Sequence, residues 1–174
     1  MKKLIVIFAA ALMMTSLAAA QTASGTLTVT ATVNSSINLV FNSDASGVAL
    51  ASGAGTNTAS LDFGNVSAFG AVAPGVTQTA TATDFTVSTP VDVLVSEANS
   101  ASANYTLTTQ LSTADATNTW AANGVTFTSA TAGTATATGA YGSNVPVTLA
   151  ITIPFTTTSG TTISNVVNFT ATAN

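Results

Sequence analysis

The side chains of this sequence best suited to acid–base chemistry are six carboxylates, at Asp44, Asp62, Asp84, Asp92, Glu97 and Asp115. Two carboxylates about 5 to 9.5 Å apart can hydrolyse a glycosidic bond. Sugar-cleaving clefts usually also present aromatic rings, and only Trp120 stands near an acid in the sequence, namely Asp115. We therefore expect solvated acids at loops and strand ends, and no catalytic pair.

Calcium binding is a second chemistry that carboxylates and amides can support, because Ca²⁺ takes oxygen ligands. Asp44 with Asn42 and Ser43 comes nearest to such a site, but the spaced Asp/Asn and Gly pattern of an EF-hand loop is missing. Alternating threonines at 26–32 and 134–138 could form a hydroxyl array like that of an ice-binding face, although threonine is also a good strand residue. The sequence predicts no metal site and no cofactor.

Charge is scarce in this chain and limits its functions. The 174 residues include 2 Lys+Arg, 6 Asp+Glu, no His and no Cys, and charged residues make up 5%, against roughly 25% in ordinary domains. Binding to phosphates or anionic lipids relies on cations. Nucleophilic triads, thiol chemistry and zinc sites rely on His, Lys or Cys. The composition therefore argues against nucleic-acid binding and against an enzyme.

The first twenty residues have the pattern of a secretory signal peptide. Lys2 and Lys3 precede a short apolar run, and Ala18 to Ala20 form a small-residue cleavage site before Gln21. We predict cleavage of residues 1–20 and a single mature domain of residues 21–174 that carries six carboxylates and no cationic side chain. No later apolar run reaches about 18 residues, so no transmembrane helix is predicted in the mature chain. The expected location is the periplasm, the cell surface or the extracellular space.

Period-2 alternation of apolar and polar residues dominates the mature chain and predicts strands. It is clearest over 27–41, 91–95, 105–111 and 145–155, and a final strand is predicted over 163–171 with a bulge before Val166. Weaker strands are expected at 61–64 and 76–87, with a break at Pro90 and a hairpin loop at 97–103. Phe69 is expected to fill the core, residues 115–122 to form a loop, and Asn123-Gly124 a tight turn. Seven to nine short strands without helical periodicity predict an antiparallel β-sandwich.

The N-terminal strand 26–33 has an unusual composition for an edge. Its apolar face consists of Leu27, Val29, Ala31 and Val33, and no charged residue interrupts it. Edge strands are normally guarded by Lys, Pro or charge. An unguarded strand of this kind suits donation to a neighbouring subunit, although completing its own sandwich is equally compatible with the pattern.

Several segments together resemble the spore coat U and chaperone–usher pilin-like family of secreted bacterial β-sandwich proteins. They are Thr26 to Val33 running into Ile37 to Phe41, Leu61 to Gly64, Phe85 to Val95 with its break at Pro90, and the Ser159-Gly160 turn before a last strand ending at Phe169 and Thr170. The resemblance implies an immunoglobulin-like sandwich, export, and a structural or adhesive role. It also implies that Leu27, Val29, Ala31 and Val33 form the strand-donation interface.

The expected function is that of a secreted, non-enzymatic structural protein that assembles by β-strand addition into a pilus-like filament or coat. Its expected partners are copies of itself or other surface subunits, with a periplasmic chaperone and usher if the pilin resemblance holds. The alternative is a monomeric carbohydrate- or calcium-binding module that uses the loops 42–60 and 115–122.

Overall fold

The computed structural model describes residues 24–174, and none of these residues forms a helix. The predicted signal peptide, residues 1–20, lies outside the described residues. The chain divides into two units, Met1–Thr32 and Val33–Asn174. The described part of the first unit, 24–32, contains no strand. The second contains nine strands: β1 Ser36–Asn42, β2 Thr77–Ala80, β3 Asp84–Ala98, β4 Tyr105–Leu111, β5 Thr119–Ala122, β6 Val125–Phe127, β7 Gly133–Gly139, β8 Asn144–Pro154 and β9 Val167–Ala173.

The strands form two antiparallel sheets. One has the order β1-β3-β8-β5-β6, with β2 also paired to β3, and the other has the order β7-β4-β9. The prediction of an all-β antiparallel sandwich of seven to nine strands is confirmed.

The core lies where the alternating faces of the long strands meet. In β3 every second residue from Phe85 to Val95 is buried, and β4 alternates in the same way from Tyr105 to Leu111. Successive side chains of a strand point to opposite faces, so one face of each strand packs inward. The buried apolar residues of the central strands are Phe85, Val87, Val91, Val93, Val95, Tyr105, Leu107, Leu111, Val147, Ile151 and Ile153.

Pro90 does not break β3, contrary to the sequence prediction. Its register partner in β8 is Thr148. On the other side of β3, the pairing with β2 ends at Ser88 and the pairing with β1 starts at Asp92. Pro90 therefore lies in the gap between β1 and β2, where the ladder on that side is interrupted and an N–H is not required. The buried Thr89 hydroxyl bridges this gap, since it accepts the N–H of Val48 and donates to the carbonyl of Gly75, both at 2.8 Å.

Three other local predictions are wrong. Residues 61–64 form no strand; the Asp62 carboxylate accepts the N–H of Gly64 at 2.8 Å, and Gly64 has a φ of 70°. Phe69 is 83% exposed and does not fill the core. The segment after β3 is not a hairpin, since it carries the chain from the six-stranded sheet to β4 in the other sheet.

The strand boundaries near the C-terminus also differ from the prediction. The segment 115–122 contains β5, and the last strand begins at Val167 instead of Ile163. The Asn123-Gly124 turn is confirmed, with φ values of 49° and 78° that match a tight hairpin turn between β5 and β6.

Candidate functional site

Most carboxylates order local turns. Asp44 Oδ1 accepts the N–H and the hydroxyl of Ser46 at 2.7 and 2.6 Å, and Asp84 accepts the hydroxyls of Thr81 and Thr83 at 2.9 and 3.0 Å. Glu97 is exposed at the end of β3. These contacts fit the expectation of solvated acids at loops and strand ends.

Asp44 and Asp92 are the acids that influence each other. The hydrogen bonds from Ser46 lower the pKa of Asp44. Desolvation, followed by the charge of Asp44, raises the pKa of Asp92, while the Asn144 amide donates to Asp92 at 3.1 Å. Opposed pKa shifts are a feature of acid–base pairs, but neither residue lines the polar recess beside Asp115 that is described below.

The residues that came nearest to a calcium site in the sequence bond to separate partners. The Asn42 amide donates to Asn144 at 3.1 Å, and the Ser43 hydroxyl accepts the N–H of Leu50 at 3.0 Å. Across residues 24–174, no group of three or more Asp, Glu, His or Cys side chains is close enough to hold a metal ion.

Asp115 organises the only tryptophan of the chain. Its carboxylate accepts the indole N–H of Trp120 at 2.8 Å, the backbone N–H groups of Thr117 and Asn118 at 3.0 and 2.9 Å, and the Asn118 amide at 3.0 Å. Desolvation works to raise the pKa of Asp115, but these bonds together outweigh it and lower the pKa to about 2. An open polar recess of about 360 Å³ lies beside this loop, between residues 113–118 and 157–165.

Within residues 24–174, the predicted donor residues have no partner strand. Leu27, Val29 and Val33 are 87%, 79% and 70% exposed, and Ala31 is exposed as well. Residues 24–35 form no strand, so the strand predicted over 26–33 is not paired, whereas the alternation that follows becomes β1. The segment is an unpaired apolar stretch of chain.

One side of the sandwich is closed over its core. At the β6 and β7 edges, Phe127, Trp120 and Ala135 are buried. The Asn123 amide donates to the carbonyl of Ala135 at 2.9 Å and so ties the β5–β6 turn to β7 in the other sheet.

The other side, bordered by β1 and β9, remains partly open. Of the strands, β1 pairs with β3 and β9 pairs with β4. On the side away from β3, Phe41 also exchanges backbone hydrogen bonds with Gly55 and Thr56, at 2.7 and 2.9 Å. The edges meet at Phe41 and Phe169, whose ring centroids lie 5.0 Å apart at 76°. Inward-facing apolar residues of the two strands are only half-buried, and we call this set the open edge: Leu39, Phe41, Val167, Phe169 and Ala171.

The two strands of the open edge differ in cover, because Gly55 and Thr56 bridge β1 at Phe41 whereas β9 has no outer partner strand among the described residues. Neither β1 nor β9 contains Lys, Arg, Asp, Glu or Pro, the residues that usually guard edge strands. All seven residues of β9 pair with β4 in unbroken register, so no bulge distorts that strand. The sequence alternation of β9 was recognisable, but its place at an edge depends on the sheet order and could not be read from the sequence.

No protein-family model matches this chain, and neither a curated protein nor a solved structure matches it. The fold and the site define an antiparallel β-sandwich with one closed side, one open edge and an unpaired apolar segment. The described residues include no helix that could cross a membrane.

Proposed function

We propose that this chain is a secreted, non-enzymatic structural subunit that assembles by β-strand addition into a pilus-like filament or an extracellular coat. Residues 26–33 of one copy pair with β9 of the next copy. The observation that carries the proposal is the coexistence, in one chain, of an unpaired alternating segment and an unguarded open edge.

Donor and acceptor match in length and in pattern. The donor face spans the seven residues 27–33, and β9 also has seven residues. In β9 the half-buried Val167, Phe169 and Ala171 alternate with exposed Asn168, Thr170 and Thr172. A strand added to β9 continues its backbone ladder and places every second side chain towards the core. The four donor side chains would then cover the open edge, and their threonines would face solvent.

The apolar area involved is sufficient for tight assembly. Burial of Leu27, Val29, Ala31 and Val33 contributes roughly 4 to 10 kcal/mol before ordering costs. Main-chain hydrogen bonds from β9 add to this, because its outer N–H and C=O groups have no partner strand in the described residues. No side-chain ion pair is needed, in agreement with the absence of Lys and Arg after Lys3.

The wider setting belongs to the same proposal. The signal-peptide pattern of residues 1–20 supports export to the periplasm, cell surface or extracellular space. The sequence resemblance to spore coat U and pilin-like proteins supports copies of this chain or other surface subunits as partners, and a periplasmic chaperone and usher as assembly factors.

Size-exclusion chromatography of residues 21–174 tests the proposal. We expect multimers for the parent and monomers for Val29→Asp, because a buried carboxylate on the donor face is strongly unfavourable. The matched control is Thr28→Asp, which adds the same charge to the opposite face and should leave the multimers intact. Residues 34–174 with an added peptide of residues 24–35 should melt at a higher temperature than without it. If residues 21–174 stay monomeric and residues 34–174 are unfolded, the strand completes its own sandwich and donation between copies is wrong.

A further inference from the structure

The outer side of β9 presents free backbone groups at alternate residues. Ser112 donates its N–H to the carbonyl of Val166 at 2.8 Å, and Asn174 donates to the carbonyl of Asn104 at 3.1 Å; both pairs continue the β4–β9 register. In an antiparallel pair, opposed residues alternate between those that exchange hydrogen bonds and those that do not. The even-numbered residues of β9 therefore bond to β4. The odd-numbered residues direct their N–H and C=O groups away from β4, and they are Val167, Phe169, Ala171 and Ala173.

Two registers pair the whole donor face with these four positions. Directly opposed residues of paired strands have their side chains on the same face of the sheet, and the donor residues at 27, 29, 31 and 33 have the same spacing as the four acceptor positions. An antiparallel strand would place Val33 beside Val167 and Leu27 beside Ala173. A parallel strand would place Leu27 beside Val167 and Val33 beside Ala173.

Side-chain size favours the antiparallel register. There, large residues are opposed to small ones, with Leu27 beside Ala173 and Ala31 beside Phe169. The parallel register would oppose Ala31 to Ala171 and leave a gap between them. Facing positions pack best when large and small side chains alternate, and antiparallel pairs are also slightly more stable than parallel ones.

The antiparallel register also covers the end of the open edge. A recess of about 130 Å³ lies there, lined by Ser35, Ser36, Ile37, Ser100 and Ala173. Ile37 is 37% exposed. Leu27, placed beside Ala173, would cover this recess and remove apolar surface of both residues from water.

One copy cannot form this register with its own segment. β1 and β9 run in opposite directions, because the start of β1 and the end of β9 line one recess and Phe41 contacts Phe169. From that contact, Ser36 lies five residues towards the recess and Val167 two residues away from it, a separation of roughly 20 Å along the edge. Three residues join Val33 to Ser36 and span at most about 11 Å. Val33 therefore does not reach Val167 of its own copy.

The outer side of β1 is obstructed as well. The outward N–H and C=O of Phe41 bond to Thr56 and Gly55 at 2.9 and 2.7 Å. A hairpin through residues 34–36 that turned the donor face towards the core would place Val29 at Phe41, where these bonds leave no free partner group. Pairing of the segment with β1 of its own copy is therefore incomplete.

We infer that residues 27–33 of one copy add antiparallel to β9 of a second copy, with Val33 beside Val167, in a register that no copy can form with its own segment. This inference rests on the proposed strand addition and specifies its direction, its register and its partner. The contact is heterologous, because segment and edge are different surfaces, and it therefore extends from copy to copy instead of joining two copies symmetrically.

Disulfide crosslinking tests the register, since the chain has no native Cys. Thr32→Cys with Asn168→Cys puts two thiols opposite each other in the antiparallel register, on the solvent face, and out of reach within one copy. We expect a ladder of disulfide-linked multimers of residues 21–174 on a non-reducing gel. The matched pair, Thr32→Cys with Thr172→Cys, is opposed only in the parallel register and should form no ladder. A ladder from the second pair instead of the first overturns the inference.

A compensating exchange tests the opposed positions by sedimentation velocity. Leu27→Ala should weaken association roughly tenfold to a hundredfold, because most of the apolar area of one leucine is lost. Adding Ala173→Leu should restore most of this loss, because the large side chain then comes from the other strand at the same place. The matched control is Val167→Leu, which is opposed to Leu27 only in the parallel register and should restore nothing. If Ala173→Leu restores nothing, or Val167→Leu restores as much, Leu27 is not opposed to Ala173.

The strand addition and its register fail in different ways. If Val29→Asp abolishes assembly and only the Thr172 cysteine pair forms a ladder, strand addition stands and the antiparallel register is wrong. If residues 21–174 stay monomeric and the Thr172 pair gives an intrachain disulfide, the segment completes its own sandwich and both proposals are wrong.

Discussion

Replacing Asp115 by Asn should destabilise the sandwich. All four hydrogen bonds to this carboxylate come from N–H donors, two on each oxygen. An asparagine amide must place its NH₂ group against one of these pairs, whichever way it is turned. When the NH₂ faces the indole, Trp120, which is 8% exposed, keeps a buried N–H without an acceptor. When it faces the backbone, the N–H groups of Thr117 and Asn118 lose theirs.

The expected loss is about 2 kcal/mol at pH 7. The pKa of Asp115 falls from 3.8 to about 2, a shift that corresponds to at most about 2.4 kcal/mol. Because the carboxylate is partly exposed and screened by solvent, we assign about 1 kcal/mol to its charge. An unsatisfied buried donor costs a further 1 kcal/mol or so.

The contribution of Asp115 to the free energy of unfolding depends on pH. The folded-state pKa of Asp115 lies below its unfolded value, so its contribution is fully present above pH 3.8 and is lost as the pH falls towards 2. The free-energy difference between the parent and Asp115→Asn should therefore shrink over that interval, since a protonated carboxyl, like the amide, carries donor hydrogens.

Urea unfolding followed by Trp120 fluorescence measures this, because Trp120 is the only tryptophan in the chain. The control is Asp62→Asn, which retains an oxygen acceptor for the Gly64 N–H and should change the free energy of unfolding by less than about 0.5 kcal/mol. An unchanged stability of Asp115→Asn at pH 7, or a deficit that persists undiminished at pH 2, would refute the role assigned to these bonds.

Two further substitutions probe the core and the hairpin. Gly139→Ala should cost about 1 to 3 kcal/mol, because its Cβ would lie 2.2 to 2.7 Å from ring atoms of the buried Tyr105; Gly25→Ala, in open space, is its control in thermal unfolding. Asn123→Ala should lower the free energy of unfolding by about 2 kcal/mol. Alanine tolerates the φ of 49° less well than asparagine, and it lacks the two side-chain hydrogen bonds to the backbone of Ala135 and Thr148. Asn123→Gly should recover the backbone part alone, and equal melting temperatures for the two Asn123 variants would contradict that division.

The sequence predicted best those strands whose inward residues are large. β4 and β8 lie at 105–111 and near 145–155, where the alternation is densest. A strand with bulky apolar residues on one face is stable only when that face points into the core, so the pattern indicates the strand clearly. β5 was missed because its four residues contain one large side chain, Trp120. The break at Pro90 was predicted wrongly. A proline is tolerated inside β3 because neither β1 nor β2 pairs with it at that position, and this depends on the strand order.

The candidate site, too, could be predicted from the sequence only in part. The unpaired apolar segment 26–33 could be singled out because its alternation and lack of charge are local properties, although the strand predicted there is not formed in the described residues. The open edge could not be predicted from the sequence, because Phe41 and Phe169 are 128 positions apart and come into contact only when the two sheets pack together. Phe69 shows the converse error, since an apolar residue in an irregular connector was assigned to the core although it is 83% exposed.

The difference between the two sides of the sandwich links stability to assembly. The closed side buries Phe127 and Trp120 through contacts within one copy, whereas the open edge leaves Phe41 and Phe169 half-buried. In the proposed assembly, the strand that covers these rings is supplied by another copy, so each subunit gains stability from the same contact that joins it to its neighbour. Anything that binds only the folded state stabilises it by mass action. The melting temperature of residues 21–174 should therefore rise with protein concentration, while that of Val29→Asp should not, and a concentration-independent melting temperature for both would separate folding from assembly.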